Sequence, residues 1–319
     1  MTASSKKILA LSGGVGGAKL ARGLAQVMPP ENLAIVCNTA DDFEHMGLII
    51  CPDLDSVMYA LAGRNDTGRG WGLADETWHV MNALKAIHPD AWFQLGDKDL
   101  ATHLARTEIL TSGQPLSVAT RALCDAYGVA QTLLPMTDDR VRTKVATENG
   151  EMDFQTYFVR EQCQPAVTGF RFDGIGHAAP HPQWMEWLAA ADLRAVILCP
   201  SNPFVSMDPI LKLPGVREAI RSCAAPVIAV SPIVGNKALK GPAAKMMHEL
   251  GMPATATAVA AHYGGLLTGF VLDQLDQDQE INIQLLNIST LVTDTIMKTP
   301  ADMAQLAEAV LAFAERLAS

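Results

Sequence analysis

The sequence predicts an α/β fold: a doubly wound, mostly parallel, Rossmann-like sheet with a small α/β insertion. Three observations predict it. Short apolar runs alternate with amphipathic stretches along the chain. The first run leads at once into a glycine-rich turn and then a helical pattern. No Pro/Gly/Ser-rich linker and no internal repeat divides the 319 residues, so residues 1–319 read as one domain.

In chain order, residues 8–11 (Ile-Leu-Ala-Leu) form a short apolar run between charge and glycine, the mark of a buried parallel strand. Glycines 13, 14, 16 and 17 make the next loop. Residues 18–28 follow with helical spacing at Leu20, Leu24 and Val27, stopped by Pro29 and Pro30. Residues 33–37 are the second strand, which completes a right-handed βαβ unit. Residues 53–63 and 74–88 read as helices around a polar, glycine-rich loop. Residues 99–127 are helical, interrupted at Ser112-Gly113-Gln114-Pro115. From about 140 to 175 the pattern turns to short β-type runs such as 154–159, a small β-containing insertion. Strands return at 195–199 and 226–230, with weaker ones at 270–272 and 281–283. A helix over 242–250 has Pro242 at its favoured first position. The last helix opens with Thr299 as cap and Pro300 in its first turn. Met303, Leu306, Val310, Phe313 and Leu317 then lay one apolar stripe.

Composition narrows the class. Hydrophobic residues make up 49% and charged residues 18%, which excludes a disordered chain. The formal net charge of −10 argues against nucleic-acid binding. Six cysteines, none in a Cys-x-x-Cys pair, read as free thiols of a reducing compartment. Residues 1–7 read as a lead-in to the first strand, not a signal peptide, and no apolar run reaches membrane-spanning length. A cytoplasmic protein is expected, with a homodimer as the commonest closed assembly.

Ligands of open parallel sheets bind beyond the carboxyl ends of the strands, so the loops there matter most. Ser12-Gly13-Gly14-Val15-Gly16-Gly17-Ala18-Lys19 offers close backbone approach and a helix start suited to phosphate. It is neither a Walker loop, lacking Gly before and Ser/Thr after the lysine, nor the dinucleotide fingerprint, since Lys19 stands where Gly or Ala is wanted. The second strand ends in Asn38, not in a ribose-binding acid, which disfavours NAD. A tight turn with no ligand is the plain alternative. Asn38-Thr39-Ala40-Asp41-Asp42-Phe43-Glu44-His45 and Pro52-Asp53-Leu54-Asp55 put five carboxylates within fifteen residues. Such hard oxygens suit magnesium bridging to substrate phosphates; a solvated acidic loop, with Asp53 as a helix cap, is the alternative. Pro200-Ser201-Asn202-Pro203 and Ser231-Pro232-Ile233-Val234-Gly235-Asn236-Lys237 supply small hydroxyl and amide groups for a base or ribose, or are ordinary turns. Leu95-Gly96-Asp97-Lys98-Asp99-Leu100-Ala101-Thr102-His103 opens a helix with polar residues; His103 there reads first as a structural histidine. A glycine turn, an acidic cluster and no nucleophile together favour phosphoryl-group chemistry.

These strings, with Leu134-Pro135-Met136-Thr137-Asp138-Asp139, recur in this order in the 2-phospho-L-lactate transferase (CofD) family, which the chain resembles from about residue 7 to the last helix. The resemblance implies an enzyme of deazaflavin coenzyme F-420 biosynthesis. Such an enzyme takes a guanosine-diphosphate-linked three-carbon acid and the acceptor Fo, a deazaflavin with a ribityl chain. The terminal ribityl hydroxyl attacks the phosphorus bearing the acid, and GMP leaves, with magnesium required. The acid is phospholactate, phosphoenolpyruvate or phosphoglycerate. Carried over, Gly13, Gly14, Gly16, Gly17 and Lys19 would hold donor phosphates. Ser201, Asn202, Ser231, Gly235 and Asn236 would line the guanosine site. Asp55, Gln94, Asp97 and Thr102 would meet Fo, Gln94 standing where archaeal members carry lysine. Asp41, Asp42 and Asp55 would hold magnesium, and either Asp55 or Asp41 would take the hydroxyl proton or the metal would lower the hydroxyl's pKa. Asp55→Ala is then expected to abolish turnover and spare the fold. Two other readings are a nucleotide-sugar-binding regulator resembling gluconeogenesis factors and an NAD-dependent dehydrogenase.

Overall fold

The computed structural model describes residues 6–88, 90–239 and 241–318; most of the stretch read as a lead-in, residues 1–5, lies outside them. The chain opens with β1 (Lys7–Ser12), α1 (Gly14–Val27) and β2 (Leu33–Cys37). A hairpin of β3 (Phe43–His45) and β4 (Leu48–Ile50) follows. Next come α2 (Pro52–Leu61), α3 (His79–Ile87), α4 (Asp97–Thr111), α5 (Leu116–Tyr127) and β5 (Thr132–Pro135). Then β6 (Arg142–Thr147), β7 (Gly150–Asp153) and β8 (Val167–Asp173) make a separate antiparallel sheet in the order β7-β6-β8. The second half runs α6 (Pro182–Leu188), β9 (Leu193–Leu198), α7 (Asp208–Leu211), α8 (Val216–Ser222) and β10 (Val227–Val230). It continues through the ribbon β11 (Ile233–Val234) and β12 (Lys237–Ala238), then α9 (Ala243–Glu249), α10 (Ala256–Tyr263) and β13 (Gly269–Asp273). It ends with α11 (Glu280–Gln284), β14 (Ser289–Thr293) and α12 (Pro300–Leu317).

The main sheet has seven strands in the order β14-β13-β10-β9-β1-β2-β5, every neighbouring pair parallel. This is the doubly wound order of dinucleotide-binding folds with one strand added. Both faces are covered, so the central strands are largely apolar, whereas the edge strand β14 is partly polar. Ile8, Ala10 and Ile35 pack with Leu20 and Leu24 of α1, Val57 of α2 and the α12 stripe. Leu9, Leu11 and Val36 pack with Trp184, Val259 and residues of the small sheet. The order of the first and fourth strands reverses the winding between β1 and β9, which opens a crevice at their carboxyl ends.

The last helix forms as the sequence predicts. Thr299 accepts from Asp302 N, and the Asp302 carboxylate accepts from Thr299 N, a complete capping box. Among the described residues no helix is long and apolar enough to cross a membrane, and all six cysteines are free thiols.

Several local expectations are corrected. The glycine turn is not a loop before the helix: α1 already starts at Gly14. The helix expected over 74–88 starts only at His79, where the carboxylate of Asp97 at the start of α4 accepts from Thr77 Oγ1 and from the backbone N–H of His79 and Val80. Residues 154–159 are not a strand but a wide helical turn, Thr156–Arg160, in which Phe154 stacks on Phe158 four residues later. Residues 281–283 lie in α11, and the seventh strand is β14 instead. Pro242 caps α9 rather than opening it. Strand β5 and the β3–β4 hairpin were not anticipated.

Candidate functional site

The crevice is built by the loops after β1, β2 and β9. Ser201 Oγ donates to Gly13 O at 2.7 Å and accepts from Gly13 N at 3.1 Å, which ties the two central loops together. A Cβ at Gly16 would stand 2.2 Å from Pro200 O, and one at Gly17 2.5 Å from the hydroxyls of Ser12 and Ser201. These glycines therefore serve close packing of α1 against the opposite loop. Gly14 differs: it has room for a side chain but a φ of +62°, which suits only glycine without strain.

Asp53 lies in the first turn of α2, but its carboxylate caps the N-terminus of α1 rather than that of its own helix. Its Oδ1 accepts from Gly14 N at 2.7 Å, and its Oδ2 accepts from Asn38 Nδ2 at 3.0 Å. Asn38 Nδ2 also donates to Val205 O at 3.2 Å, and Asn38 Oδ1 accepts from Ala40 N at 2.9 Å. A carboxylate thus holds part of the positive helix end that the sequence assigns to phosphate.

From there an arc of buried acids extends across the mouth of the sheet. Asp41, Asp42, Asp53 and Asp55 are each no more than 6% exposed. One oxygen of Asp41 and one of Asp42 are buried with no hydrogen-bond partner, as are the hydroxyls of Ser12, Thr39 and Thr143. Burial raises Asp41 well above the ordinary carboxylate range, and neighbouring Asp53 adds to this. Burial pushes Asp42 to about 7 against the pull of Arg142 and Arg106. It pushes Asp53 to about 6 despite its bonds from Asn38 and Gly14. Orphaned carboxylate oxygens held in an apolar setting are costly unless something binds them. Hard oxygens of this type fit magnesium, which usually takes one or two carboxylates and completes its shell with phosphates and water. Among the described residues no three His, Cys, Asp or Glu side chains converge as a ready-made cage.

Asp55 closes the arc differently. Both its oxygens accept from the guanidinium of Arg106, itself only 1% exposed. Arg106 Nη1 also lies 3.1 Å from His103 Nδ1, and His103 Nε2 lies 3.3 Å from Asp99 Oδ1. Asp99 Oδ1 accepts from Tyr59 OH at 2.7 Å. Thr102 Oγ1 bonds Tyr127 OH at 2.7 Å beside them. His103 is thus bonded through Nδ1, while its Nε2 is buried without a well-aligned hydrogen-bond partner. Next to Asp42, the side chains of Phe43, His45, Trp92 and Phe93 cluster, with Phe43 and Phe93 centroids 4.9 Å apart and His45 and Trp92 5.4 Å apart. Gln94 follows that cluster and is half-buried.

Other expected residues are engaged in shaping the loops. Asn202 Oδ1 accepts from Phe204 N, and its Nδ2 contacts Met246 Sδ. Ser231 Oγ donates to Ile233 O and accepts from Ile233 N. Gly235 and Asn236, both with positive φ, form the two-residue turn between β11 and β12. Asp276 accepts from Gly235 N, and Gln279 donates to Asn236 Oδ1. Lys19 Nζ donates to Met297 O at 2.6 Å rather than turning to the glycines. Asp97 caps α3, accepting from Thr77 Oγ1 and the backbone N–H of His79 and Val80. The structure brings Gly13, Gly14, Ser201, Asp41, Asp42 and Asp55 to one end of the sheet and commits Asp97 to its flank. The sequence reading did not assign roles to Asn38, Arg106 or Asp99. The 99, 103, 106 spacing, which sets three ionisable groups on one face of α4, was the available signal.

Comparison with known proteins agrees with this architecture. The family model described as 2-phospho-L-lactate transferase CofD matches residues 8–309. A protein named phosphoenolpyruvate transferase from Streptomyces coelicolor is 42% identical over 318 residues, covering 98% of this chain and 99% of its own. One of the same name from Mycobacterium tuberculosis is 39% identical over 314 residues, covering 90% and 94%. A crystal structure of a UPF0052-family protein from Bacillus halodurans superposes with a TM-score of 0.63 at 13% identity, covering 96% of this chain and 98% of its own, and shares the fold. By length and identity of match, the chain belongs to the 2-phospho-L-lactate transferase (CofD) family of transferases.

Proposed function

We propose that the protein transfers a phosphoenolpyruvyl group from a guanosine-diphosphate-linked donor to the terminal ribityl hydroxyl of Fo in coenzyme F-420 biosynthesis. The observation that carries this reading is the near-full-length match, at 42% identity, to a relative named phosphoenolpyruvate transferase. The buried acid arc at the strand-order reversal supports it, since that is where a phosphorylated ligand enters this fold. The aromatic cluster of Phe43, His45, Trp92 and Phe93, its rings mostly edge to face, offers aromatic surface for the deazaflavin ring, with Gln94 next in the chain.

In the proposed reaction the hydroxyl oxygen bonds to the phosphorus carrying the acid, the bond from that phosphorus to GMP breaks, and the hydroxyl proton passes to a carboxylate. Asp41 is the better candidate for the proton, because Asp55 has both oxygens held by Arg106. Asp41 and Asp42, through their unpartnered oxygens, would hold magnesium, which when bound neutralises phosphate charge. The Ser201–Gly13 clasp and the turn at Gly235 and Asn236 shape the donor side. Positioning and charge neutralisation carry most of the catalysis in such transfers.

The test is a mass-spectrometric assay with Fo, Mg²⁺, GTP and a donor-forming guanylyltransferase, offering phospholactate, phosphoenolpyruvate and phosphoglycerate together. Fo carrying phosphoenolpyruvate is the expected product. Fo carrying another acid would correct the donor, and unchanged Fo with folded protein and donor formed would refute the transfer.

A further inference from the structure

Arg106 is an unusual residue to find where it is. It comes from the third turn of α4, is 1% exposed, and projects into the acid arc rather than to solvent. Its fork meets both oxygens of Asp55, its Nη1 also reaches Ile49 O at 3.4 Å and His103 Nδ1 at 3.1 Å, and its Nε is buried without a partner. The contact to Nδ1 is a donation from the guanidinium, so His103 receives there, while its Nε2 lies 3.3 Å from Asp99 Oδ1 without a well-aligned hydrogen bond; Asp99 accepts from Tyr59. His103, Arg106 and Asp55 are therefore hydrogen-bonded in series from α4 to the first turn of α2, with the Tyr59–Asp99 pair packed beside them. Buried ion pairs of this kind seldom add stability over apolar residues of equal volume, because both charges lose their water. What they do supply is a fixed geometry, and a planar two-pronged fork fixes a carboxylate more tightly than an ammonium can.

We propose that Arg106 is a positioning residue for Asp55: its fork, braced from behind by His103 Nδ1, locks the Asp55 carboxylate in one orientation at the edge of the acid arc, and divalent-cation binding by the arc depends on that orientation. The idea rests on the phosphotransfer reading for its catalytic consequence but not for its cation-binding one. Arg106→Lys keeps the charge and loses the fork, so a purely electrostatic role would leave it silent. Mn²⁺ affinity, read by electron paramagnetic resonance, is expected to weaken about tenfold or more in Arg106→Lys. The transfer kcat is expected to fall about tenfold or more, with KM for the donor within about twofold. The second variant is Asp55→Asn/Arg106→Gln, which removes both charges of the pair together and guards against a single variant that does not fold. It is expected to match Asp55→Asn alone in Mn²⁺ affinity and kcat, because Arg106 acts through Asp55. Wild-type Mn²⁺ affinity and kcat in folded Arg106→Lys would overturn the proposal. So would a further tenfold loss in the folded double variant beyond Asp55→Asn. Wild-type protein that binds Mn²⁺ but does not modify Fo would refute the transfer reading and leave this inference standing.

Discussion

Asp42→Asn tests whether the acid arc stores the cost that its burial implies. The Asp42 carboxyl is displaced from its ordinary value of 3.8 to about 7, chiefly by burial. A carboxyl whose folded pKa lies above its unfolded one binds its proton more tightly in the native state. The native state is thus favoured at low pH and loses that advantage as pH rises from about 4 to about 7. At ~1.4 kcal/mol for each pH unit, the full cost above pH 7 is about 4 kcal/mol. Asparagine has nearly the same shape and no charge to desolvate. In metal-free buffer, urea unfolding of Asp42→Asn is therefore expected to match wild type near pH 4 and to exceed it by roughly 2–4 kcal/mol at pH 8. Saturating Mg²⁺ is expected to recover much of the difference for wild type at pH 8, because a cation that binds only the folded state stabilises it. The variant is expected to lose transfer activity while gaining stability, the trade seen where a site holds unfavourable groups for a task. A variant whose unfolding midpoint follows pH as steeply as wild type would show that Asp42 carries no such cost.

Three further outcomes follow from the same geometry. Gly16→Ala drives a methyl to within 2.2 Å of Pro200 O, a backbone atom that cannot yield alone, so destabilisation of about 3 kcal/mol or more and loss of activity are expected in thermal melts and turnover. Thr299→Ala removes the capping box of α12 far from the crevice, and is expected to cost about 1 kcal/mol with unchanged kcat. Asp55→Ala, expected from sequence to spare the fold, leaves Arg106 buried without its carboxylate. A cost of about 3–5 kcal/mol by urea unfolding is therefore anticipated, whereas Asp55→Asn should cost less because its amide oxygen still accepts from the fork.

The parallel sheet was legible in the sequence because its strands are buried on both faces and read as unbroken apolar runs, as at Leu9 to Leu11 and Val196 to Leu198. β14 was harder: as an edge strand it mixes Ser289 and Thr290 with Leu291 and Val292, and the β-branched Ile281 and Ile283 nearby gave a stronger but false strand signal. Residues 154–159 misled because aromatic and β-branched residues are common in strands, whereas Phe154, Tyr157 and Phe158 stand at helical spacing and the actual contact is Phe154 on Phe158. In the candidate site, the residue types in the loops pointed to the carboxyl ends of the strands, where the structure brings several of them together. Their partners did not show, because partnership here is tertiary. Asp53 meets Gly14 across 39 positions, Asp55 meets Arg106 across 51, and Ser201 meets Gly13 across 188. Lys19 illustrates the limit: its place after the glycines suggested phosphate, but the approach of the loop before α12 gives it the Met297 carbonyl.

The central claim is that the acid arc at the crossover between β1 and β9 is the metal and phosphate site of a phosphotransferase. Crystals of the protein grown with Mn²⁺, GDP and Fo, with the metal located by its anomalous scattering, test it most directly. The account predicts a manganese peak bonded to Asp41 or Asp42, at about 2.0–2.3 Å, with a phosphate oxygen of GDP on the same ion. Manganese and GDP found together elsewhere on the molecule, with the oxygens of Asp41 and Asp42 still unpartnered, would contradict it.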